Sequence, residues 1–191
     1  MRRAGPGRGY RGRMLVRVAS VTLSLALVIA VATGCRPEPE PSPSGPAFAT
    51  EAEAFAAAEE TYRAYVDALN QVDLSDPETF EAVYAWTTGD ANAGARESFS
   101  EMHAKGWSVR GASRVDRTEP IGAALEKTAS VSIVACLNVS DVTLVDADGN
   151  SAVAENRPDV QEVRVDTVAS RTSSTGLLIA DLDGSDEGLC E

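Results

Sequence analysis

The spacing of hydrophobic residues changes period near Trp107 and divides the chain into two parts. Before this point, apolar residues recur at steps of three and four, the period of helices that bury one face. After it, apolar and polar residues alternate, the period of half-buried strands. Helices followed by strands predict an α+β domain, at residues 49–191, in which N-terminal helices cover one face of an antiparallel sheet.

Three helices are predicted in the first part. Thr50 and Glu53 form a capping-box pattern where the first helix begins. Residues 76–77, an aspartate followed by proline, are typical of a helix start and begin a short second helix. The third helix begins near Asp90 and ends at Gly106, a suitable C-terminal cap. The stripes contain Phe55, Ala58, Tyr62, Tyr65, Val66 and Leu69, then Phe80, Val83 and Tyr84, then Ala95, Phe99 and Met102, with His103 beside Met102 on the apolar side of the third helix.

Alternation in the second part is clearest at residues 129–139, where every odd position is apolar, and at residues 163–169. Each of these segments predicts a strand with one face on the core. Shorter strands are predicted at residues 107–117, 142–146 and 177–182, with turns at residues 148–149 and 174–176.

A separate apolar run precedes the domain. Residues 18–34 carry no charge, six arginines precede them, and the run ends in Ala32, Thr33, Gly34 and Cys35. A membrane-spanning helix needs about 20 apolar residues, so this run is short for one, and an uncleaved anchor is the alternative. The segment resembles a bacterial lipoprotein signal peptide. That resemblance implies removal of residues 1–34 and a lipid-anchored Cys35 on the outer face of the cell membrane.

A proline-rich segment separates Cys35 from the domain. Prolines alternate with glutamate and serine through residues 36–46, which favours an extended polyproline II spacer of roughly 30–35 Å. Residues 35–48 are therefore predicted to be the lipidated cysteine and a tether.

The remaining cysteines form an even pair once Cys35 carries lipid. Outside the cell, Cys136 and Cys190 are expected to join in a disulfide. The alternative is two unpaired thiols. The bond would close a loop of roughly 55 residues, worth about 4 kcal/mol in the chain-entropy model.

The net charge of the processed chain disfavours two kinds of binding partner. Six of the 17 Lys and Arg precede Cys35 and all 29 Asp and Glu follow it, so the processed chain has 11 basic and 29 acidic residues and a net charge of −18. Such a chain is repelled by nucleic acid and by anionic lipid headgroups.

Residues 135–151, together with residues 177–181 and Cys190, resemble nuclear-transport-factor-2-like domains, also called SnoaL-like or cystatin-like cone domains. The resemblance is to small actinobacterial lipoproteins of that superfamily and covers about residues 50–190. It implies a curved, cone-shaped sheet with a pocket under the helices. Superfamily members include isomerases, dehydratases, carriers and non-catalytic domains, so the fold does not select a function.

The resemblance also implies candidate site residues. Steroid isomerases of the superfamily place a tyrosine on the first helix to stabilise an oxyanion, a role that Tyr62 or Tyr65 would take, with Asp181 or His103 as base. Core packing explains the same residues equally well. The pocket mouth, suited to an apolar ligand, is predicted to be lined by Tyr62, Tyr65, Tyr84, Trp86 and His103.

No metal site or cofactor is predicted. His103 is the only histidine, and the acidic clusters that begin at Asp146 and Asp181 lack the spacing of a calcium loop. The expected function is a non-enzymatic, lipid-anchored binding module of the cell envelope, whose partner is an envelope protein or a small apolar ligand. A small-molecule isomerase or dehydratase is the alternative, and a homodimer through the sheet is a further hypothesis.

Overall fold

The computed structural model describes residues 47–126 and 128–190, and helices from the first part of this domain pack on an antiparallel sheet from the second. The predicted α+β fold class is therefore confirmed. No helix within these two ranges is long and apolar enough to cross a bilayer. The elements are α1 (Glu51–Leu69), α2 (Glu81–Tyr84), α3 (Gly89–Ala104), β1 (Ser108–Arg110), β2 (Arg114–Ala124), β3 (Ser130–Asn138), β4 (Thr143–Val145), β5 (Val160–Ala169) and β6 (Leu177–Gly184).

Helix α1 begins where the capping-box pattern predicts. The Thr50 hydroxyl accepts a hydrogen bond from the Glu53 backbone N–H at 3.2 Å, and the Glu53 carboxylate accepts one from the Ala49 N–H at 2.9 Å. One stripe of the helix is buried against the sheet, and loss of its apolar surface from water, about 25 cal/mol per Å², stabilises that packing. The buried positions of α1 are Ala54, Ala58, Thr61, Tyr62 and Val66, and also Ala68, which packs in a second apolar cluster at the end of the helix.

The other helices form a second, smaller apolar cluster with the end of α1. Asp76 caps the 3-10 turn Pro77–Phe80, which runs directly into α2. Helix α3 ends before Gly106, whose φ of +66° suits a glycine. The cluster contains Ala68, Leu74, Phe80, Val83, Tyr84 and Phe99.

The main sheet has the strand order β2–β3–β5–β6, and each neighbouring pair is antiparallel. On β3, Val131, Ile133 and Ala135 are buried on the side of α1, as the alternation predicts. The expectation that β3 is only half-buried is wrong, because Val134 and Cys136 on its outer face are buried as well. The C-terminal segment lies against that outer face.

The strand predicted at residues 107–117 is in fact two strands. β1 pairs with β4 in a two-stranded ribbon, whereas β2 is an edge strand of the main sheet. The break lies at Gly111, where φ is +83° and a Cβ would stand 1.9 Å from the carbonyl oxygen of Asp141. Only glycine permits this turn, so the twofold period alone does not locate it.

Strand β6 contains a bulge that changes which residues face the core. Leu177 and Ile179 are buried, but the register with β5 then skips one residue and pairs Asp181 with Asp166. An extra residue in a strand reverses the faces of the residues that follow it. Leu182 therefore packs into the core. Asp181, which the sequence predicts on the core face, lies on the outer face instead.

The predicted disulfide is confirmed. Cys136 and Cys190 are joined with their Cα atoms 5.5 Å apart, which attaches the last residues of the chain to β3. A carboxylate on β5 holds the same segment. Glu162 accepts hydrogen bonds from the Ser185 hydroxyl (2.8 Å) and from the backbone N–H groups of Glu187 (2.7 Å), Leu189 (2.7 Å) and Cys190 (3.2 Å).

Candidate functional site

An apolar cavity of about 420 Å³ opens between the end of α1, helix α3, the β1–β4 ribbon and the loop before β5. This volume lies within the range of roughly 300–1,000 Å³ that is usual for ligand pockets. Among the described residues that line it, Arg157 alone is ionisable. The apolar wall includes Leu69, Leu74, Phe99, Met102, Val109 and Leu144.

The ribbon supplies one wall of the cavity. Val109 of β1 and Leu144 of β4 stand directly opposite each other in the antiparallel register. Opposite residues in an antiparallel pair point to the same side, and both side chains pack against the second apolar cluster. The ribbon is thereby fixed over α3 with its apolar side towards the cavity.

The Asn70 side-chain amide forms hydrogen bonds to the loop at the rim of the cavity. Asn70, at the C-terminal cap of α1, donates to the Ser113 carbonyl through Nδ2 and accepts from the Ser113 N–H through Oδ1, both at 2.8 Å. This pair of hydrogen bonds fastens the loop between β1 and β2 to the end of the helix. Helix α1 therefore helps to position the cavity edge at Ser113.

Arg157 provides the charge at the site. Its Nη2 donates to the carbonyl oxygens of Val139 and Val142, each at 2.9 Å, so the half-buried guanidinium anchors the loop before β4. Six other cations in the described ranges pair with carboxylates: Arg63, Arg96, Lys105, Arg114, Arg117 and Arg164. Arg157 has no carboxylate oxygen within 4.0 Å among the described residues.

A second depression adjoins the cavity beyond β4. It has a volume of about 470 Å³ and shares Val142, Leu144, Val153 and Arg157 with the first. Its wall is more polar and includes Glu155. Arg157 therefore lies at the boundary between the apolar cavity and the more polar depression.

The tyrosines proposed from the sequence belong to the core. Tyr62 is buried, and its ring lies 6.0 Å from that of Tyr65, with the two planes 23° apart. Burial raises the pKa of Tyr65 to about 12, and burial together with the neighbouring Tyr65 raises the pKa of Tyr62 further still. Within the described ranges neither hydroxyl has a hydrogen-bond partner, so neither is paired with an acid or a base.

The other predicted lining residues lie elsewhere as well. The Arg96 guanidinium stacks on Tyr84, 3.9 Å from the ring centre. Trp86 accepts a backbone hydrogen bond from Ile179 of β6. His103 is exposed on α3, with Nδ1 2.7 Å from the carbonyl oxygen of Leu74. None of the five residues predicted at the pocket mouth (Tyr62, Tyr65, Tyr84, Trp86 and His103) lines the apolar cavity.

The candidate catalytic groups do not converge. Tyr62 packs on the helix side of the sheet, whereas the bulge in β6 turns Asp181 to the other side. His103 bonds to the loop after α1. A tyrosine electrophile and its base need to reach one substrate, and this arrangement does not allow it.

The acidic cluster at Asp146 forms a turn in the structure, whereas the cluster at Asp181 begins within β6. The Asp146 carboxylate accepts hydrogen bonds from the N–H groups of Asp148 and Asn150 and from the Asn150 side chain. These bonds, chiefly those of Asn150, hold the pKa of Asp146 below its ordinary value. No group of three potential metal-binding side chains occurs in the part of the chain that the structure describes.

Cys35 and the rest of residues 1–46 lie outside the described residues. The predicted signal peptide, the lipid at Cys35 and the tether thus remain predictions from the sequence. Sequence reasoning missed the apolar cavity because its walls come from separate segments. They are the ends of the predicted first and third helices, the predicted strands at residues 107–117 and 142–146, and the loop before β5. A usable signal was present in the apolar Val142, Leu144 and Val153, which flank polar turns without belonging to a long strand.

No protein-family model and no curated protein match the sequence. Solved structures do align with it. A periplasmic fragment of TraM has a TM-score of 0.44 and 11% identity over 71% of this chain and 96% of that one. The intermembrane-space region of the chloroplast protein ARC6 has a TM-score of 0.46 and 11% identity over 71% and 96%. CagV, a VirB8 homolog of the Helicobacter pylori T4SS, has a TM-score of 0.39 and 9% identity over 69% and 98%.

These comparisons correct the predicted family. The similar structures are domains of secretion-system and chloroplast proteins rather than of SnoaL-like lipoproteins, and no sequence match links the chain to actinobacteria. The identification as an actinobacterial SnoaL-like lipoprotein is therefore wrong. Because the TM-scores lie between 0.39 and 0.46, the likeness assigns no function, and the site is interpreted from its own geometry.

Proposed function

We propose that this protein is a non-enzymatic binding module of the cell envelope and that the apolar cavity is its binding site. The wall of the cavity carries this proposal. Apolar side chains surround one arginine, and the described lining residues include no acid, histidine or cysteine. Such a wall suits the binding of an apolar ligand but offers no general acid or base.

The disulfide supports a location outside the cytoplasm. Disulfides persist in oxidising compartments and are rare in the cytosol, and the Cys136–Cys190 bond links the chain end to a central strand. The sequence of residues 1–35 adds a proposed lipid anchor at Cys35. Together these features favour a domain held by a tether at the outer surface of the cell membrane.

Labelled palmitate tests the anchor. In a bacterial host that lipidates exported proteins, we expect the wild-type chain to incorporate the label and the Cys35→Ser variant to lose it. Cys190→Ser is the matched control and keeps the label. Incorporation into Cys35→Ser equal to that of the wild type would contradict a lipid at Cys35.

The alternative enzymatic function has no geometric support. An isomerase or dehydratase would need Tyr62 or Tyr65 close to Asp181 or His103, and these groups face different parts of the molecule. Assembly through sheet edges is also disfavoured. β2 contains Pro120 and two bulges, while β6 is occupied by backbone hydrogen bonds between Ile179 and the segment before α3.

Methyl NMR of the full chain tests the binding site directly. On addition of Nile red, a neutral apolar dye, we expect the methyl signals of Met102 and Leu144 to shift and that of Leu177, in the main core, to stay. Val153→Trp fills the cavity and should weaken dye binding by about tenfold or more. Ile121→Trp places the same residue on an exposed position of β2 and should leave binding unchanged. Unmoved cavity methyls at saturating dye would refute the proposal.

A further inference from the structure

We propose that the ligand of this cavity is a molecule with a single hydrocarbon chain and a terminal carboxylate, which Arg157 binds; this inference rests on the proposed function of the cavity. The apolar wall would hold the chain, and the guanidinium would hold the head. Both parts of the ligand follow from contacts within the described residues.

The size and lining of the cavity indicate one chain. Its volume of about 420 Å³ lies near the lower end of the range for ligand pockets. A diacyl lipid has two chains to bury, whereas one flexible chain follows a wall of leucine, valine and methionine. Met102 contributes a side chain that adapts to irregular apolar surfaces.

The charge of the site indicates an anion. The chain as a whole carries a net charge of −12, yet Arg157 has no carboxylate within 4.0 Å among the described residues and is the one ionisable group among those that line the cavity. A half-buried cation in apolar surroundings is stabilised by an opposite charge. A ligand anion would give Arg157 the negative partner that the six paired cations have in neighbouring carboxylates.

The hydrogen bonds of Arg157 leave capacity for that anion. A guanidinium has five N–H donors, and the Nη2 donors go to the carbonyls of Val139 and Val142. Nε and Nη1 have no acceptor among the described residues. A carboxylate is a planar monoanion that arginine binds well, and its single charge matches a single guanidinium better than a phosphate dianion does.

The test compares ligands of equal chain length and different heads on the wild-type full chain. Dodecanoate, dodecanol, dodecyl phosphate and dodecylammonium are titrated while the Met102 and Leu144 methyl signals and the Arg157 Nε–H signal are followed. We expect dodecanoate to bind about tenfold more tightly than dodecanol and to move the Arg157 signal, which dodecanol leaves in place. Dodecylammonium should bind most weakly.

Variants isolate the role of Arg157. Arg157→Gln should reduce the preference for dodecanoate over dodecanol to about twofold or less, while Arg157→Lys keeps part of it. Arg171→Gln changes an exposed arginine outside the cavity and should keep the full preference. If Arg157→Gln fails to fold because two loop carbonyls lose their donor, the wild-type ligand series decides.

The outcomes of these titrations distinguish failure of the proposed ligand from failure of the proposed function. Equal binding of dodecanoate and dodecanol, or tighter binding of dodecyl phosphate or dodecylammonium, overturns the carboxylate ligand and leaves the proposed binding function standing. Failure of every dodecyl compound to shift the cavity methyls overturns the single-chain ligand, and failure of Nile red to shift them as well overturns the proposed function itself.

Discussion

The Glu162 carboxylate fixes the C-terminal segment, because it accepts hydrogen bonds from four donors in the last six residues described. Burial opposes ionisation of the group, but the hydrogen bonds from Ser185 and from three backbone N–H groups outweigh it and hold the pKa of Glu162 below its ordinary value. Hydrogen bonds to the charged form of a carboxyl lower its pKa. The folded state thus favours the ionised side chain.

We expect Glu162→Gln to destabilise the protein in a pH-dependent manner. A depressed pKa means that the contribution is complete above the unfolded-state value near 4.5 and is lost as the pH falls through the lower folded-state pKa. Urea denaturation of the full chain should show a clear difference between wild type and variant at neutral pH and a smaller one in acid. Glu97→Gln, exposed on α3, is the control. A difference for Glu162→Gln that does not change with pH would contradict this account.

Two glycines should respond to alanine in opposite directions. Gly111 has φ +83° and its Cβ would collide with the Asp141 carbonyl, so Gly111→Ala should lower the free energy of unfolding by at least about 2 kcal/mol. Gly94 lies within α3 with open space around its Cα, so Gly94→Ala should raise it by about 0.5–1 kcal/mol. Chemical denaturation measures both. A Gly111→Ala variant as stable as the wild type would show that the loop relaxes, and a less stable Gly94→Ala variant would contradict the expectation for α3.

At the scale of elements, the sequence predicts helix and strand boundaries that depend on residues close together in the chain. It does not predict boundaries that depend on contacts between residues far apart in the chain. The start of α1 depends on Thr50 and Glu53, three positions apart, and is predicted correctly. The break at Gly111 depends on Asp141, which is thirty positions away in the chain. The bulge in β6 depends on the register with β5. Alternation assumes an unbroken strand, which explains why it places Asp181 on the wrong face.

The edge strand β2 carries features that oppose pairing with another chain. Its register shifts twice, between Val115 and Arg117 and between Pro120 and Gly122. Proline lacks the N–H that strand pairing needs, and bulges bend an edge away from partners. We therefore expect Pro120→Thr to increase self-association of the full chain in sedimentation velocity. Pro158→Thr, in an exposed loop, should leave the distribution unchanged. An unaltered distribution for Pro120→Thr would show that the bulges alone protect the edge.

At the scale of the molecule, the sequence predicts a layer of helices on a sheet but does not predict where a cavity lies between them. Tyr62 and Tyr65 fill the region under α1 where the pocket was expected, because a long helix with large aromatic residues packs closely on its sheet. The cavity lies instead at the end of α1. Its walls come from separate segments, including Leu69, Val109 and Leu144. Which side chains leave a gap depends on the tertiary positions of all of them, and periodicity holds no information about that.

The C-terminal segment is held twice, by a covalent bond across 54 positions and by the Glu162 carboxylate. In the chain-entropy model, loss of the disulfide costs about 4 kcal/mol. Without the bond, the segment has to be ordered by the hydrogen bonds alone, and that ordering costs roughly 1–2 kcal/mol of backbone entropy per residue. The carboxylate therefore contributes most when the disulfide has already positioned its donors.

This dependence predicts coupling between the two contacts. In a double-mutant cycle, Glu162→Gln should destabilise the disulfide-bonded chain more than it destabilises the Cys136→Ala/Cys190→Ala chain, because in the latter the donors are already released. Urea denaturation of the four full-length proteins measures the difference. Reductant should lower the stability of the wild type and leave the cysteine-replaced chain unaffected. Equal effects of Glu162→Gln in both backgrounds would mean that residues 185–190 dock without help from the disulfide.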